Sequence, residues 1–391
     1  MKSQMTVGKK LSLLSALLTG AQPVQLCRSI CSGVIVLAGL FSASAALSGQ
    51  ILVNEEDRVT LNVSGLAQAR YTSERPDGLS RSQTFDLALG RLAIFGSALS
   101  PKIGYFFQVE TSTFGNSNRV TMLDAWVRYS FSEKAAVQAG RMLLPYSREF
   151  YTHPGNLLFA DLSIADYAFN LSRAVGLGVS GRAGRVSYNG VVSNSVRALD
   201  GAGQRNLNRD LAMIGRLEFD ILAPYGYMES APLAMPAKAQ FSVGLAAGFN
   251  PVDESSAFQS TTPGDRTRNL TVDSGFRWKR LSLQAAVYYR RNHSEPAVDR
   301  VTSDSGMYAQ GGVYVIARRL ELAGRVSRVD FDRRSAAQAP GGATEHTAGM
   351  NYYIHGHKLK IQGDYSVIRQ SLFGGGFRDD HRVRAQLQLL F

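Results

Sequence analysis

The 391 residues carry 45% apolar side chains and a formal charge of +12, with a mean hydropathy near zero. Beyond the leading 46 residues there is no apolar span of 18, which excludes a helical membrane bundle. A membrane β-barrel keeps such a soluble-looking average, because its strands alternate apolar and polar side chains. The two cysteines, Cys27 and Cys31, both lie in the leading segment, so disulfide frameworks and thiol chemistry are excluded from the rest.

Residues 1–46 hold Lys2, Lys9, Lys10 and Arg28, no acidic residue, two apolar runs and then small residues. That order reads as a secretory signal peptide with Ala43-Ser44-Ala45 as its cleavage signal. Its removal leaves residues 47–391 as one domain at +8. With no run of lysine or arginine, nucleic acid is not an expected partner. Small anions passing a lined channel are.

From residue 58 onward the chain alternates with period two, which puts successive side chains on opposite faces of a strand. In Arg58–Tyr71, Val59, Leu61, Val63, Ala67 and Ala69 share one face, and Thr60, Asn62, Ser64, Gln68 and Arg70 the other. Strands follow near 85–99, 102–112, 122–131 and 135–149. They continue near 174–183, 185–194, 209–223 and 238–250, and then in tight pairs to Phe391. About 16 strands are expected, each of roughly 10–14 residues. The links alternate: short near 96–101, 132–134, 183–184, 279–280, 318–319 and 356–358, long and polar between them. Short turns at one end and long loops at the other are the layout of an outer-membrane barrel. The link Pro224–Ala237 breaks the rule, being long on the short side. The fold predicted is all-β: a transmembrane antiparallel up-and-down β-barrel with a long inward-folded third loop. A ring of 16 leaves an aqueous channel.

Tyr146–Ser172 is where the alternation stops, for 27 residues. Loops this long are usually functional. Phe150, Tyr151, Leu157, Leu158, Phe159, Leu162, Ile164, Tyr167 and Phe169 make it too apolar to stand free in water. It is predicted to fold inward as the pore constriction, with Tyr146, Arg148, Glu149, Tyr151, Asp161 and Asp166 as its site residues. An arginine on the lipid face near the midplane costs about 2–4 kcal/mol. Parity therefore aims Arg70, Arg128, Arg216, Arg277, Arg290, Arg382 and Arg384 into the lumen. Arg141 falls on the lipid side by parity from Val137 and Ala139, and a bulge near Gly140 is expected to re-aim it. Trp126, Tyr129, Trp278, Tyr288, Tyr289, Tyr352 and Tyr353 are candidates for the interfacial girdles.

The stretch Leu123-Asp124-Ala125-Trp126-Val127, then Gly140-Arg141, then Pro145-Tyr146-Ser147-Arg148-Glu149 resembles the phosphate-selective porin O/P family of Gram-negative outer membranes. The earlier run 90–110 is similar to that family's second and third strands, and the terminal Phe391 looks like a barrel-assembly signal. The resemblance implies a homotrimeric porin in contact with outer-membrane lipid, with a third loop in the lumen and anion selectivity from basic residues. The loop departs from the phosphate-binding pattern, since Arg148 is its single full cation against Glu149, Asp161 and Asp166, and it has no lysine.

Catalytic motifs are scarce: no H-E-x-x-H, G-x-S-x-G or Walker loop occurs. Gly178–Gly184 reads as strand and turn, His355 and His357 as a solvated turn, and Asp379-Asp380-His381 as a charged loop end. No cofactor, metal or catalytic residue is expected. Two functions stand: a passive porin for small anionic or polar solutes, and a non-transport surface barrel, either enzyme or docking protein.

Overall fold

The computed structural model describes residues 51–54, 58–112, 119–194, 196, 211–230, 233, 235–251, 265–294, 300–332, 341–372 and 375–391. The leader expected over 1–46 lies outside them. After a short β1 (Ile51–Asn54), sixteen strands follow. They are β2 (Val59–Pro76), β3 (Ser82–Ala98), β4 (Ser100–Ser112), β5 (Arg119–Ser132), β6 (Ala135–Leu143), β7 (Arg173–Ala183), β8 (Val186–Ser193) and β9 (Ala212–Asp220). The second half comprises β10 (Gln240–Asn250), β11 (Asp265–Trp278), β12 (Leu281–Ser294), β13 (Arg300–Ile316), β14 (Leu320–Asp330), β15 (Gly342–His355), β16 (Leu359–Ser371) and β17 (Phe377–Leu390). Each pairs antiparallel with its sequence neighbour, and β17 pairs back onto β2, so the sheet closes on itself. Closure removes the unpaired edge that a sheet cannot leave in hydrocarbon.

Alternation decides which face is which. In β17, Val383, Leu387 and Leu389 are exposed while Arg384, Gln386 and Gln388 are buried. The same holds around the ring: exposed Leu270 and Val272 against buried Asn269, Thr271 and Asp273, exposed Leu322 and Val326 against buried Glu321, Arg325 and Ser327. An apolar exposed face and a polar buried face fit a ring with lipid outside. The seam is fixed by the last residue. The Phe391 N–H donates to the Gly65 carbonyl and the Gly65 N–H to that of Phe391, both at 3.0 Å. Glycine suits this position, because a Cβ on residue 65 would lie 2.3 Å from the Phe391 ring and push it aside.

Of the girdle candidates, Tyr129, Trp278, Tyr289 and Tyr352 are exposed on the outer face. Tyr288 and Tyr353 are instead buried on the inner face, and Trp126 turns inward to stack on Phe106 at 5.3 Å. The long short-side link also has an explanation. Between β9 and β10 it turns into the barrel, burying Tyr225, Glu229 and Ser230. Tyr225 packs where Gly275 leaves room: a Cβ there would meet its ring at 2.5 Å.

Candidate functional site: the loop across the lumen

The segment between β6 and β7 is pinched at its neck, where the Leu144 N–H donates to the Ser172 carbonyl at 3.0 Å. Two short α-helices lie within it, α1 (Arg148–Tyr151) and α2 (Ile164–Phe169), with a 3-10 turn at Pro154–Asn156 between them. Both are capped by serine: Ser147 Oγ accepts from the Phe150 N–H at 3.3 Å and Ser163 Oγ from the Asp166 N–H at 3.1 Å. Such caps satisfy amide donors that a helix start leaves open. At four and six residues the helices are too short to print a 3.6-residue period, so the sequence read as featureless.

The segment bonds to the polar face of strands far from its own. Near its start, Arg148 Nε meets Asp273 on β11 at 2.6 Å and its Nη2 meets Glu218 on β9 at 3.2 Å. In the middle, Lys360 on β16 donates to the Leu157 carbonyl at 3.1 Å, Asn351 on β15 to that of Leu158 at 2.8 Å, and Gln388 on β17 to that of Gly155 at 3.0 Å. The Ala160 N–H reaches Asp364 at 3.1 Å, and Asp161 pairs with Arg70 at 3.1 Å. Farther on, the Ala165 N–H donates to Ser327 on β14 at 3.1 Å, Tyr288 to Asp166 at 3.0 Å, and Arg290 to the Ala168 carbonyl at 3.2 Å. Phe169 fills the space over Gly306, where a Cβ would approach its ring to 2.6 Å. The inturned β9–β10 link meets the loop as well: the Glu229 N–H donates to the Asn156 carbonyl, the Leu158 N–H to Glu229, and Arg148 to the Gly226 carbonyl.

The arginines expected to line the pore are therefore mostly clamps. Arg216 is fully buried, holding Asp273 at 2.6 Å and the Tyr146 carbonyl at 2.9 Å. Arg290 holds Asp304 at 2.8 Å, Arg382 holds Glu345 at 3.2 Å, and Arg384 holds Asp364 at 2.7 Å. Arg277 lies 4.2 Å from the centre of the Tyr225 ring. Arg128 is half-buried on the inner face, its Nε without a hydrogen-bond partner among the described residues. Arg141 differs from expectation. The register around Gly140 is continuous, and the irregularity lies one strand over, where β4 and β5 slip past Leu123. Arg141 Nε donates to the Met122 and Leu123 carbonyls that this slip lays open, at 3.1 and 2.9 Å. It belongs to the wall.

Arg148 also departs from the expected charged ring. Its side chain is 0% exposed, so it meets carboxylates and no solute. Glu149 is buried beside Ser163, 3.6 Å from Arg325. Burial, with the carboxylates of Asp166 and Glu229 nearby, holds Glu149 well above the ordinary carboxylate range against the pull of Arg325. Burial likewise pushes Glu229 up to about 7. Burial and the nearby cations Arg91 and Lys360 push His153 down to about 3, so its imidazole is neutral. Tyr146 and Asp166 are buried, while the Asp161 side chain stays half exposed.

Pinned toward β9–β17 and β2, the loop leaves a cavity of about 100 Å³ between its residues 145–154 and β3–β8. Arg91, Phe106, Asp124, Trp126, Arg173 and Tyr151 line it. Arg91 Nε pairs with Glu110 at 2.6 Å and Arg173 Nε with Asp124 at 3.0 Å. Neither arginine was singled out from the sequence. A slip in register at Gln68–Ala69 leaves Ala88 as an extra residue on β3 and reverses the parity before Arg91. Arg173 is the first residue of β7, where alternation has not begun.

Residues 100–222 match the family model of the phosphate-selective porins O and P. No curated protein matches the sequence significantly. Among solved structures, the anion-selective porin from Comamonas acidovorans superposes with a TM-score of 0.59 at 11% identity, covering 85% of this chain and 100% of that one. The outer membrane channel DcaP of Acinetobacter baumannii gives 0.59 at 11% identity over 86% and 99%. OprB of Pseudomonas putida gives 0.54 at 8% identity over 85% and 94%. At these identities the likeness is one of fold.

Proposed function

We infer that this porin, which carries the phosphate-selective O and P pattern over residues 100–222, lets small hydrophilic solutes diffuse across the Gram-negative outer membrane and prefers anions. The observation that carries the reading is the loop of residues 144–172, held by buried ion pairs of Arg148 and by hydrogen bonds across the polar face of a closed sixteen-stranded ring. Such a segment narrows a lumen that sixteen strands would otherwise leave wide. Transport then needs no energy coupling and follows the solute's gradient.

The preference for anions rests on charge state. Arginines on the inner face stand against carboxylates, and opposed charges nearly cancel. Burial raises Glu149 above the ordinary carboxylate range and Glu229 to about 7, so these carboxylates oppose the inner-face arginines less than their number suggests. A positive interior lowers the barrier for anions. The apolar outer wall, with Leu177, Val192, Met213 and Leu217 exposed, supports association into a homotrimer. No catalytic role is assigned; the protein acts as a conduit rather than as an enzyme.

Purified protein in a planar lipid bilayer tests this. Stepwise conductance in KCl, with a reversal potential in a KCl gradient whose sign reports chloride as the more permeant ion, is the expected result. Silent membranes would favour a non-transport barrel.

A further inference from the structure

We propose that the cavity between the loop and β3–β8 is a transit site for small monocarboxylates that carry a flat ring, and that it holds them more tightly than inorganic phosphate. The proposal rests on the porin reading above and names the solute class of its narrow region.

Two arginines face this cavity, and each meets its carboxylate through Nε: Arg91 with Glu110 and Arg173 with Asp124. Each guanidinium keeps its two terminal amino groups for a visitor. That planar fork fits a carboxylate through two parallel N–H···O bonds. The paired carboxylates set a limit on charge. Asp124 lies on the cavity wall and Glu110 stands beside Arg91, so the two ion pairs are already balanced and each further negative charge on a visitor is resisted, a dianion more than a monoanion. Phosphate, a mixture of mono- and dianion near neutral pH and without a flat ring, fits this site poorly.

The rest of the lining is suited to a ring. Trp126 and Phe106 stack at 5.3 Å with 16° between their planes, and both line the cavity. Phe106 is 5% exposed and braces Trp126 from behind; Trp126 is only partly buried. Phe150 approaches from the loop, beneath the Arg173 guanidinium at 5.7 Å. A cavity of about 100 Å³ exceeds the roughly 10–15 Å³ that one water needs and admits a small solute. Because each arginine is already paired, the visitor is held by part of each fork, which favours release as well as entry.

The probes are benzoate, acetate and inorganic phosphate, added to single channels conducting KCl. Benzoate is expected to reduce the current at concentrations about tenfold below acetate or phosphate, the range an aromatic contact supplies. Trp126→Leu should bring benzoate to the level of acetate. Arg173→Gln should raise the blocking concentrations of benzoate and acetate together, by about tenfold. Equal block by phosphate, or benzoate block unchanged in Trp126→Leu, overturns the proposal while leaving the porin reading intact. Absence of any KCl current overturns both. If a variant fails to insert, the comparison of the three anions on the unaltered protein decides alone.

Discussion

Replacing Arg148 with methionine separates a clamp from a filter. The side chain is fully buried and bridges Asp273 at 2.6 Å and Glu218 at 3.2 Å. Removing one partner of a buried ion pair costs about 3–5 kcal/mol, because a charge is left desolvated. Here the low end applies: Asp273 keeps Arg216 at 2.6 and 2.9 Å, so about 3 kcal/mol is expected. The same change at Arg70, whose partner Asp161 is half exposed but which also holds Gln386 and the Ala160 carbonyl, should cost less, about 1–2 kcal/mol. Urea unfolding of the folded barrel in detergent measures both, and the ratio matters more than either value. In bilayers, Arg148→Met should make the open level noisier as the start of the loop comes loose. The reversal potential should move little, since the lost charge faced no solute. A shifted reversal potential with unchanged stability and noise would refute the clamp and restore Arg148 to the pore surface.

Three further outcomes follow from the same geometry. Glu229 has its folded pKa raised to about 7 by burial. Its contribution to stability is full below the ordinary carboxylate value and is lost as pH rises through about 7, and the interior gains a negative charge over that window. Anion preference, read as reversal potential, should therefore fall between about pH 6 and 8, and Glu229→Gln should flatten that dependence. Gly65→Val places a side chain into the Phe391 ring, 2.3 Å from the Cβ position; the yield of folded barrel in refolding assays should drop severalfold. Leu387→Arg, on the lipid face, should destabilise by about 2–4 kcal/mol, while Gln386→Leu, one residue away on the inner face, should instead disturb its hydrogen bond to Gln362 at 3.1 Å. Equal unfolding midpoints for the unaltered protein and Leu387→Arg would contradict the assigned faces.

Alternation made most of the barrel legible, because lipid outside and water inside impose a two-residue rhythm on every strand. It failed where the backbone slips. The extra residue Ala88 hid the direction of Arg91, and the slip at Leu123 gave Arg141 a use that parity does not describe. The loop was legible as an apolar interruption, but the partners of its charges were not. Asp273, Glu218 and Glu345 look like ordinary inward carboxylates, and nothing local says that a segment from over 50 residues away will meet them. The β9–β10 link was visible only as an excess of length. Gly275 and Gly306, read as plain strand glycines, are clearings for Tyr225 and Phe169.

The double anchoring of the loop, to the wall and to the link, sets how it responds to voltage. One elementary charge moved through 100 mV gains about 2.3 kcal/mol. The loop carries few charges; Arg148 is buried against Asp273 and Glu218, and Asp166 against Ser147 and Tyr288. Swinging it away would require the buried Arg148 bridge, at about 3–5 kcal/mol, to be opened together with the loop's hydrogen bonds to the wall. Voltages of physiological size do too little work for that. On the porin reading, closure under applied voltage is therefore expected to arise in parts of the protein other than this loop.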